Sequence, residues 1–358
     1  MFRLCLTAEL LKTLFFKGGL IMGKEFRILA LDGGGLLGIY TAAVLARLEQ
    51  HYGKKAADHF DLIASTSAGA ITGAALTSGI SGIELVQFFR EKGVKIFHHN
   101  VEGTPLDFFR KIKQVLFTSK HSNAELLEAY KEIYGERTLA DAGNFMCISA
   151  FNVTKGVTRV FKTPHHRNLE ENRGIKLWQA VACSSAAPTF LPEYFPDFAG
   201  EENCGYVDGG TWANNPAMMG FTEAYKYFVG KKKKFKNVKI VSIASFAEEL
   251  KRKKKLMSVR DWSFGMDFMG LFMTAQSASV DYMMENMLKD VKRGYLRIEP
   301  VVTEEMAKIF TADNTSREVL DKMVEAGNNS AAEALSGGES KKMLDGIFKT
   351  KKATNPRF

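Results

Sequence analysis

The sequence predicts an α/β fold built on a mainly parallel sheet, and two successive stretches carry that prediction. Phe26–Leu31 is an apolar run that ends in Asp32-Gly33-Gly34-Gly35-Leu36-Leu37-Gly38, and an amphipathic stretch from Ile39 to His51 follows. Phe60–Ala64 is a second apolar run; it ends in Ser65-Thr66-Ser67-Ala68-Gly69 and passes into the helix-like Ala70–Leu76. Strand, small-residue turn and helix, twice in a row, is how parallel strands are joined through helices.

Composition sets the outer limits. The 358 residues suffice for one large domain or two small ones, and 46% apolar with 25% charged residues describes an ordinary globular chain. Lys and Arg (49) exceed Asp and Glu (40), for a net charge of +9. Part of the excess is local, in Lys231–Lys234, Lys236 and Lys251-Arg252-Lys253-Lys254-Lys255. Such runs form solvated loops or meet anionic membranes. No aromatic residues interleave them as base stacking would require, so a nucleic acid polymer is not the expected partner. The cysteines at 5, 147, 183 and 204 have no C-x-x-C spacing, which excludes a zinc or redox pair and fits a reducing cytoplasm. Residues 1–23 are apolar but carry Arg3, Lys12 and Lys17, so they offer no uninterrupted span of about 20 residues for a bilayer. They read as an interfacial helix, with Leu4, Leu11 and Phe15 on one face, or as an extension ahead of a start at Met22.

Along the chain, the triglycine loop after the first strand presents backbone N–H groups at the start of a helix, a natural anion cradle. Gly33, Gly35 and Gly38 also satisfy G-x-G-x-x-G. A dinucleotide site would need an acidic residue at the end of the second strand, and that strand ends in Ser65-Thr66-Ser67 instead. The serine turn has the form of a nucleophile elbow, with Ser65 in place of the first glycine of G-x-S-x-G. Both strand ends lie at the carboxyl edge of the expected sheet, where open α/β folds build their sites. Residues 83–120 are aromatic and basic with few Pro or Gly, and read as a helical insertion. Phe145–Asn152 and Val157–Phe161 form a predicted strand pair about Lys155-Gly156. The helical Ile175–Val181 leads into the tiny-residue run Ala182–Phe190. Tyr206-Val207-Asp208-Gly209-Gly210 is a strand end bearing a carboxylate, and Asn214-Asn215-Pro216 caps a following helix.

With these pieces in order, the chain resembles the patatin-like phospholipase family. Asp32–Gly38 matches the family's D-G-G-G-x-R-G loop except that Leu37 replaces arginine. Ser65–Gly69 matches its G-x-S-x-G elbow except for Ser65, Ala182–Phe190 its A-A-P-x-F block, and Asp208-Gly209 its D-G motif. The resemblance continues through Gln276–Tyr282 and Tyr295–Ile298 and covers roughly residues 26–330. It implies a three-layer α/β/α patatin-like fold and hydrolysis of membrane (lyso)phospholipid esters by a serine–aspartate dyad, with no metal or cofactor. Ser67 is then the nucleophile, Asp208 the base, and Gly33, Gly34 and Gly35 the oxyanion hole, supported by Asp32, Gly38, Gly69 and Gly209. None of the seven histidines lies in a block that looks like a triad member; His165-His166 is the only pair placed after a strand.

The resemblance also sets the expected organisation. Residues 1–23 are a tail or extension, 24–335 the catalytic domain with 83–120 as a cap or as helices packed on the sheet, and 336–358 a basic mobile tail. The methionines from Met257 to Met287 read as helix core or as lining for acyl chains. The loss of a charge at Leu37 implies a weaker hold on a lipid phosphate. Basic patches are expected against an anionic membrane, with the chain cytoplasmic and peripherally bound when active. Two alternatives accompany the hydrolase: an effector switched on by a cyclic nucleotide, as in bacterial antiphage members of the family, and a lipid-binding member without turnover.

Overall fold

The computed structural model describes residues 24–93, 123–188, 190–245, 266–301 and 316–353. The expectations for residues 1–23, for most of the 83–120 insertion and for Lys251–Lys255 lie outside the described residues. In chain order the principal elements are β1 (Lys24–Leu31), α1 (Gly38–Tyr52), β2 (Leu62–Ser65), α2 (Ala68–Thr77), α3 (Gly82–Phe88), α4 (Asn123–Tyr134), β3 (Phe145–Asn152) and β4 (Val157–Lys162). They continue with α5 (Leu177–Ser185), β5 (Tyr206–Asp208), α6 (Gly210–Ala213), α7 (Ala217–Tyr227), β6 (Phe235–Ile243), α8 (Met266–Leu288), β7 (Tyr295–Ile298), α9 (Arg317–Leu335) and α10 (Gly338–Lys349).

The strands form one sheet in the order β4-β3-β2-β1-β6-β7, with β5 pairing β3 off that path. β1 runs parallel to β2 and β6, β2 to β3, and β6 to β7, whereas β4 and β5 run antiparallel to β3. The mainly parallel sheet of the sequence reading is present, and its central strands β1, β2 and β3 are largely buried on both faces, as parallel strands between two helical layers are. Alternate residues serve opposite layers. Leu29, Leu31, Ile63, Met146 and Ile148 pack with α1, α2, α4, α5, α9 and α10. Ile28, Ala30, Leu62, Ala64 and Cys147 pack with α7 and α8. This is a three-layer α/β/α fold.

Two features of topology place the site. The chain leaves β1 for β2 on one side and returns to β6 on the other, so the carboxyl end of β1 is a topological switch point, the place where open α/β folds build their sites. β3 is longer than β2: it pairs β2 through Ile148, then pairs β5 from Ala150 to Asn152, while β4 occupies its other edge. β5 therefore takes the room that β2 vacates on turning away at Ser65, and it brings Asp208 to that turn.

The expected tail is corrected by the structure. Residues 338–349 form α10, which buries Met343, Leu344, Ile347 and Phe348 on one helical face and leaves Lys341, Lys342 and Lys349 off it. The Phe348 ring stacks on Tyr52 at 4.3 Å and lies 4.9 Å from His59. Beyond the helix, Arg27 donates to the carbonyls of Ile347 and Thr350 at 2.9 and 2.8 Å, and the Ala353 N–H donates to Asp61 at 3.0 Å. The lysines had suggested a solvated segment, yet the apolar spacing 343, 344, 347, 348 satisfies a helix face. Phe348→Ala should lower the unfolding free energy by about 3–5 kcal/mol in a denaturant titration, as emptying a buried aromatic site does; a loss below about 1 kcal/mol would contradict this packing.

A candidate active site at the carboxyl end of β1 and β2

The site begins with a close approach. A Cβ on Gly69 would lie 2.2 Å from the Leu31 carbonyl oxygen and 2.6 Å from that of Asp32, so only glycine lets α2 start against the end of β1. That contact forces the turn before it. Ser67 has φ 53° and ψ −120°, outside the comfortable regions for a residue with a side chain, as a nucleophile elbow requires. Ser65, the departure from the elbow pattern, is fully buried, and Gly73 on α2 lies where its side chain needs space: a Cβ there would be 3.2 Å from the Ser65 Cβ. The Ser65 hydroxyl has no hydrogen-bond partner among the described residues.

Ser67 and Asp208, 141 residues apart, meet directly: the Ser67 hydroxyl donates to Asp208 Oδ2 at 2.5 Å. Both are nearly closed off, at 6% and 4% exposure. Burial raises the Asp208 carboxyl to about 6, against the lowering pull of hydrogen bonds from the Ser67 hydroxyl and the Gly210 N–H. The Gly210 N–H donates to Asp208 Oδ1 at 2.7 Å. No histidine among the described residues bonds either member. His165 is held 2.9 Å from Glu223 and 2.9 Å from Thr163, packed against Phe145 and Phe228.

The tiny-residue block holds the pair together. The Ser67 N–H donates to Ser184 Oγ at 2.9 Å, the Gly209 N–H to the Ser184 carbonyl at 3.1 Å, and the Asp208 N–H to the Ala186 carbonyl at 2.9 Å. One turn of α5 thus grips both halves of the dyad. Gly209 is packed on Ser149, where a Cβ would come within 2.4 Å of the Ser149 carbonyl oxygen. In the sequence this block is a tiny-residue run matching the A-A-P-x-F block, with no role given to its serines. Its serines carried no spacing signal for the grip.

The triglycine loop lies beside Ser67, and its N–H groups differ. The Gly33 N–H is already used, donating to the Asn214 carbonyl at 3.1 Å. The Gly34 and Gly35 N–H groups have no acceptor among the described residues, and Gly35 takes φ 56°, a left-handed conformation natural to glycine. The expected row of three donors is therefore two. Asn214 was read from sequence only as part of a helix cap; Asn215 caps α7, accepting from Ala217 N at 3.0 Å. Asp32 is gripped by Arg297, and Gly38 packs against Ala68 and Phe89. Leu37 is 2% exposed within the apolar layer over α1, an environment for a hydrocarbon side chain rather than a guanidinium.

One of the two basic runs and several of the methionines lie within the described residues. Lys231–Lys236 precede or open β6, at the amino edge of the sheet and away from Ser67. Lys233 donates to the carbonyls of Tyr225 and Lys226, and Lys236 to those of Lys231 and Lys233, so these two charges close the end of α7 and the turn that follows. Of the methionines, Met284 is core, whereas Met273 reaches Gly210, where its Cε would lie 2.9 Å from an added Cβ. Ser65→Ala should raise the unfolding free energy by about 1–2 kcal/mol, because it removes a buried hydroxyl that has no partner; a lower stability would mean that the hydroxyl is satisfied.

Known proteins resemble this chain over much of its length. Residues 29–221 match the family model described as patatin-like phospholipase. A cGAMP-activated phospholipase of Pseudomonas aeruginosa is 31% identical over 314 residues, covering 87% of this chain and 89% of that one. One of Vibrio cholerae is 28% identical over 91% of this chain and 95% of its own length. One of Escherichia coli is 30% identical over 85% and 88%.

Proposed function

The chain belongs to the patatin-like phospholipase family, and from that premise we propose that it is a serine acyl hydrolase releasing fatty acids from membrane phospholipids or lysophospholipids. The observation that carries the proposal is the 2.5 Å bond from Ser67 to a buried Asp208 that, among the described residues, bonds no cation, beside two backbone N–H groups that find no acceptor among them.

Asp208 Oδ2 takes the Ser67 proton as Oγ attacks the ester carbonyl. The Gly34 and Gly35 N–H groups receive the oxyanion that develops. As the tetrahedral intermediate collapses, protonated Asp208 returns its proton to the departing glycerol oxygen, leaving an acyl-Ser67 ester. Water then repeats the sequence: Asp208 takes its proton, hydroxide adds to the acyl carbon, and the proton passes to Ser67 Oγ as the fatty acid leaves. Asp208 can act so without histidine because burial makes it a stronger base than an exposed aspartate.

A second reading concerns control. The three relatives named above are cGAMP-activated by name, and Ser67 and Asp208 are less than a tenth exposed. A lipid carbonyl needs more room than that, which supports a form that opens on a signal of cyclic-nucleotide type. Fatty acid release measured with and without a panel of cyclic dinucleotides tests it; equal rates across the panel would remove the control and leave the hydrolase. A lipid-binding member without turnover is the remaining alternative, and labelling of Ser67 by a fluorophosphonate would dismiss it.

Ser67→Ala should abolish fatty acid release from vesicles while leaving the fold intact by circular dichroism; substantial release by the folded variant would overturn the assignment. Asp208 must be ionised to accept the proton. kcat/KM should therefore rise with pH through an apparent pKa of about 6 and fall away below it. An activity flat from pH 5 to pH 8 would rule out Asp208 as the base.

A further inference from the structure

We propose that Arg297 is the positioning residue of the oxyanion loop, holding the Gly34 and Gly35 N–H groups on the reacting carbonyl through Asp32. This rests on the serine–aspartate reading above and extends it to a residue outside the dyad, the loop and the elbow.

Arg297 lies on β7, two strands from β1. Its register partner on β6 is Ser242, whose partner on β1 is Ala30. Asp32, two residues beyond Ala30, projects to the same face of the sheet one step nearer the carboxyl edge. The guanidinium spans that diagonal. Nη1 donates to Asp32 Oδ1 at 3.0 Å and Nη2 to Oδ2 at 2.6 Å, while Nη1 also donates to Ser242 Oγ at 2.6 Å. The side chains are 12% and 3% exposed, so this is a buried, two-pronged grip. Burial would lower the guanidinium pKa; the Asp32 charge outweighs that and holds it above the usual arginine value.

The consequence lies in what Asp32 precedes. Its own N–H donates to the Ile243 carbonyl at 3.1 Å, the last tie to the sheet. After it come Gly33, tied to Asn214, and then the two free donors. A donor outside any hydrogen-bonded ladder is only as fixed as the residues that flank it. At the far end the Leu37 N–H closes on the Gly34 carbonyl at 3.0 Å, and the Leu37 side chain adds no polar anchor. The near end is held by the Gly33 bond to Asn214 and by Asp32, whose side chain is its one ionic anchor among the described residues. A bidentate fork fixes the plane of its carboxylate as well as its position, and with it the peptide leading into Gly33. A lysine would supply the charge without fixing the plane.

The test separates positioning from mere support. Arg297→Lys should lower kcat about 10- to 100-fold, the range for a displaced oxyanion donor, while KM stays within about threefold. Labelling of Ser67 by a fluorophosphonate should slow in parallel, since the phosphonyl oxygen uses the same donors. In Asp32→Asn with Arg297→Gln, a neutral hydrogen-bonded pair replaces the ionic one, and this double variant should recover at least about tenfold in kcat over Asp32→Asn alone. The proposal is overturned if folded Arg297→Lys keeps the wild-type kcat, if its loss of activity only follows its loss of folded protein, or if the double variant is no faster than Asp32→Asn. Should Arg297→Lys fail to fold, the double variant decides. Ser67→Ala in the same assay keeps the two readings apart. Activity there removes the dyad and this role with it, whereas an inactive Ser67→Ala beside an unaffected Arg297→Lys removes this role alone.

Discussion

The structure depends on the approach of α2 to the end of β1, where the Gly69 Cα sits against the carbonyls of Leu31 and Asp32. This contact does three things at once. It forces the positive φ at Ser67, it lays that serine beside the triglycine loop, and it aims the start of α2 at the switch point between β2 and β6. The strain at Ser67, of about 1–3 kcal/mol for such a conformation, is offset by what surrounds it. The Ser67 N–H is bonded to Ser184, and the Ala70 N–H donates to the Ser67 carbonyl at 2.8 Å. The elbow persists because its neighbours leave it no other conformation.

Much of this was legible in the sequence, and the limits of that reading have physical causes. The strands, the elbow, the strand end at Asp208 and the triglycine loop are local patterns, so periodicity and small-residue runs reveal them. The occupation of the Gly33 N–H is not local, because its acceptor is the carbonyl of Asn214, carried in by a chain segment on the far side of β5. Ser184 escaped for the same reason: a side chain that grips a distant backbone N–H leaves no spacing signature. Ser65 departs from the motif, and the glycine at 73 leaves room for its side chain, a fit between distant positions that the motif does not display. The helix α10 was different. Its apolar spacing was present in the sequence, but the lysines on its other face outweighed it.

The site has two buried aspartates, both pushed upward by burial, that differ in their partners. Asp32 is paired with Arg297 in a two-pronged contact, so its charge is compensated and fixed. Among the described residues the Asp208 carboxylate bonds the Ser67 hydroxyl and the Gly210 N–H, and no cation. Both carboxylates lie near the carboxyl end of the parallel strands, and only Asp208 is without a cationic partner among the described residues.

That asymmetry has a cost which follows from the sign of the shift. The Asp208 pKa rises from 3.8 to about 6, so the folded chain holds a proton that the unfolded chain releases between those values. Its contribution to stability is full below about pH 4 and is lost as pH rises through about 6, by about 3 kcal/mol in all. A cation beside Asp208 would lessen this penalty and draw its pKa down, as neighbouring positive charge does for any carboxylate, although burial still raises Asp32 beside Arg297. It would also weaken the base that must take a proton from serine. Under the proposed chemistry the penalty is thus the condition of function, and a guanidinium is tolerable on Asp32 because that carboxylate accepts no proton. The charge belongs where it fixes the donors, and its absence from Asp208 keeps the base reactive.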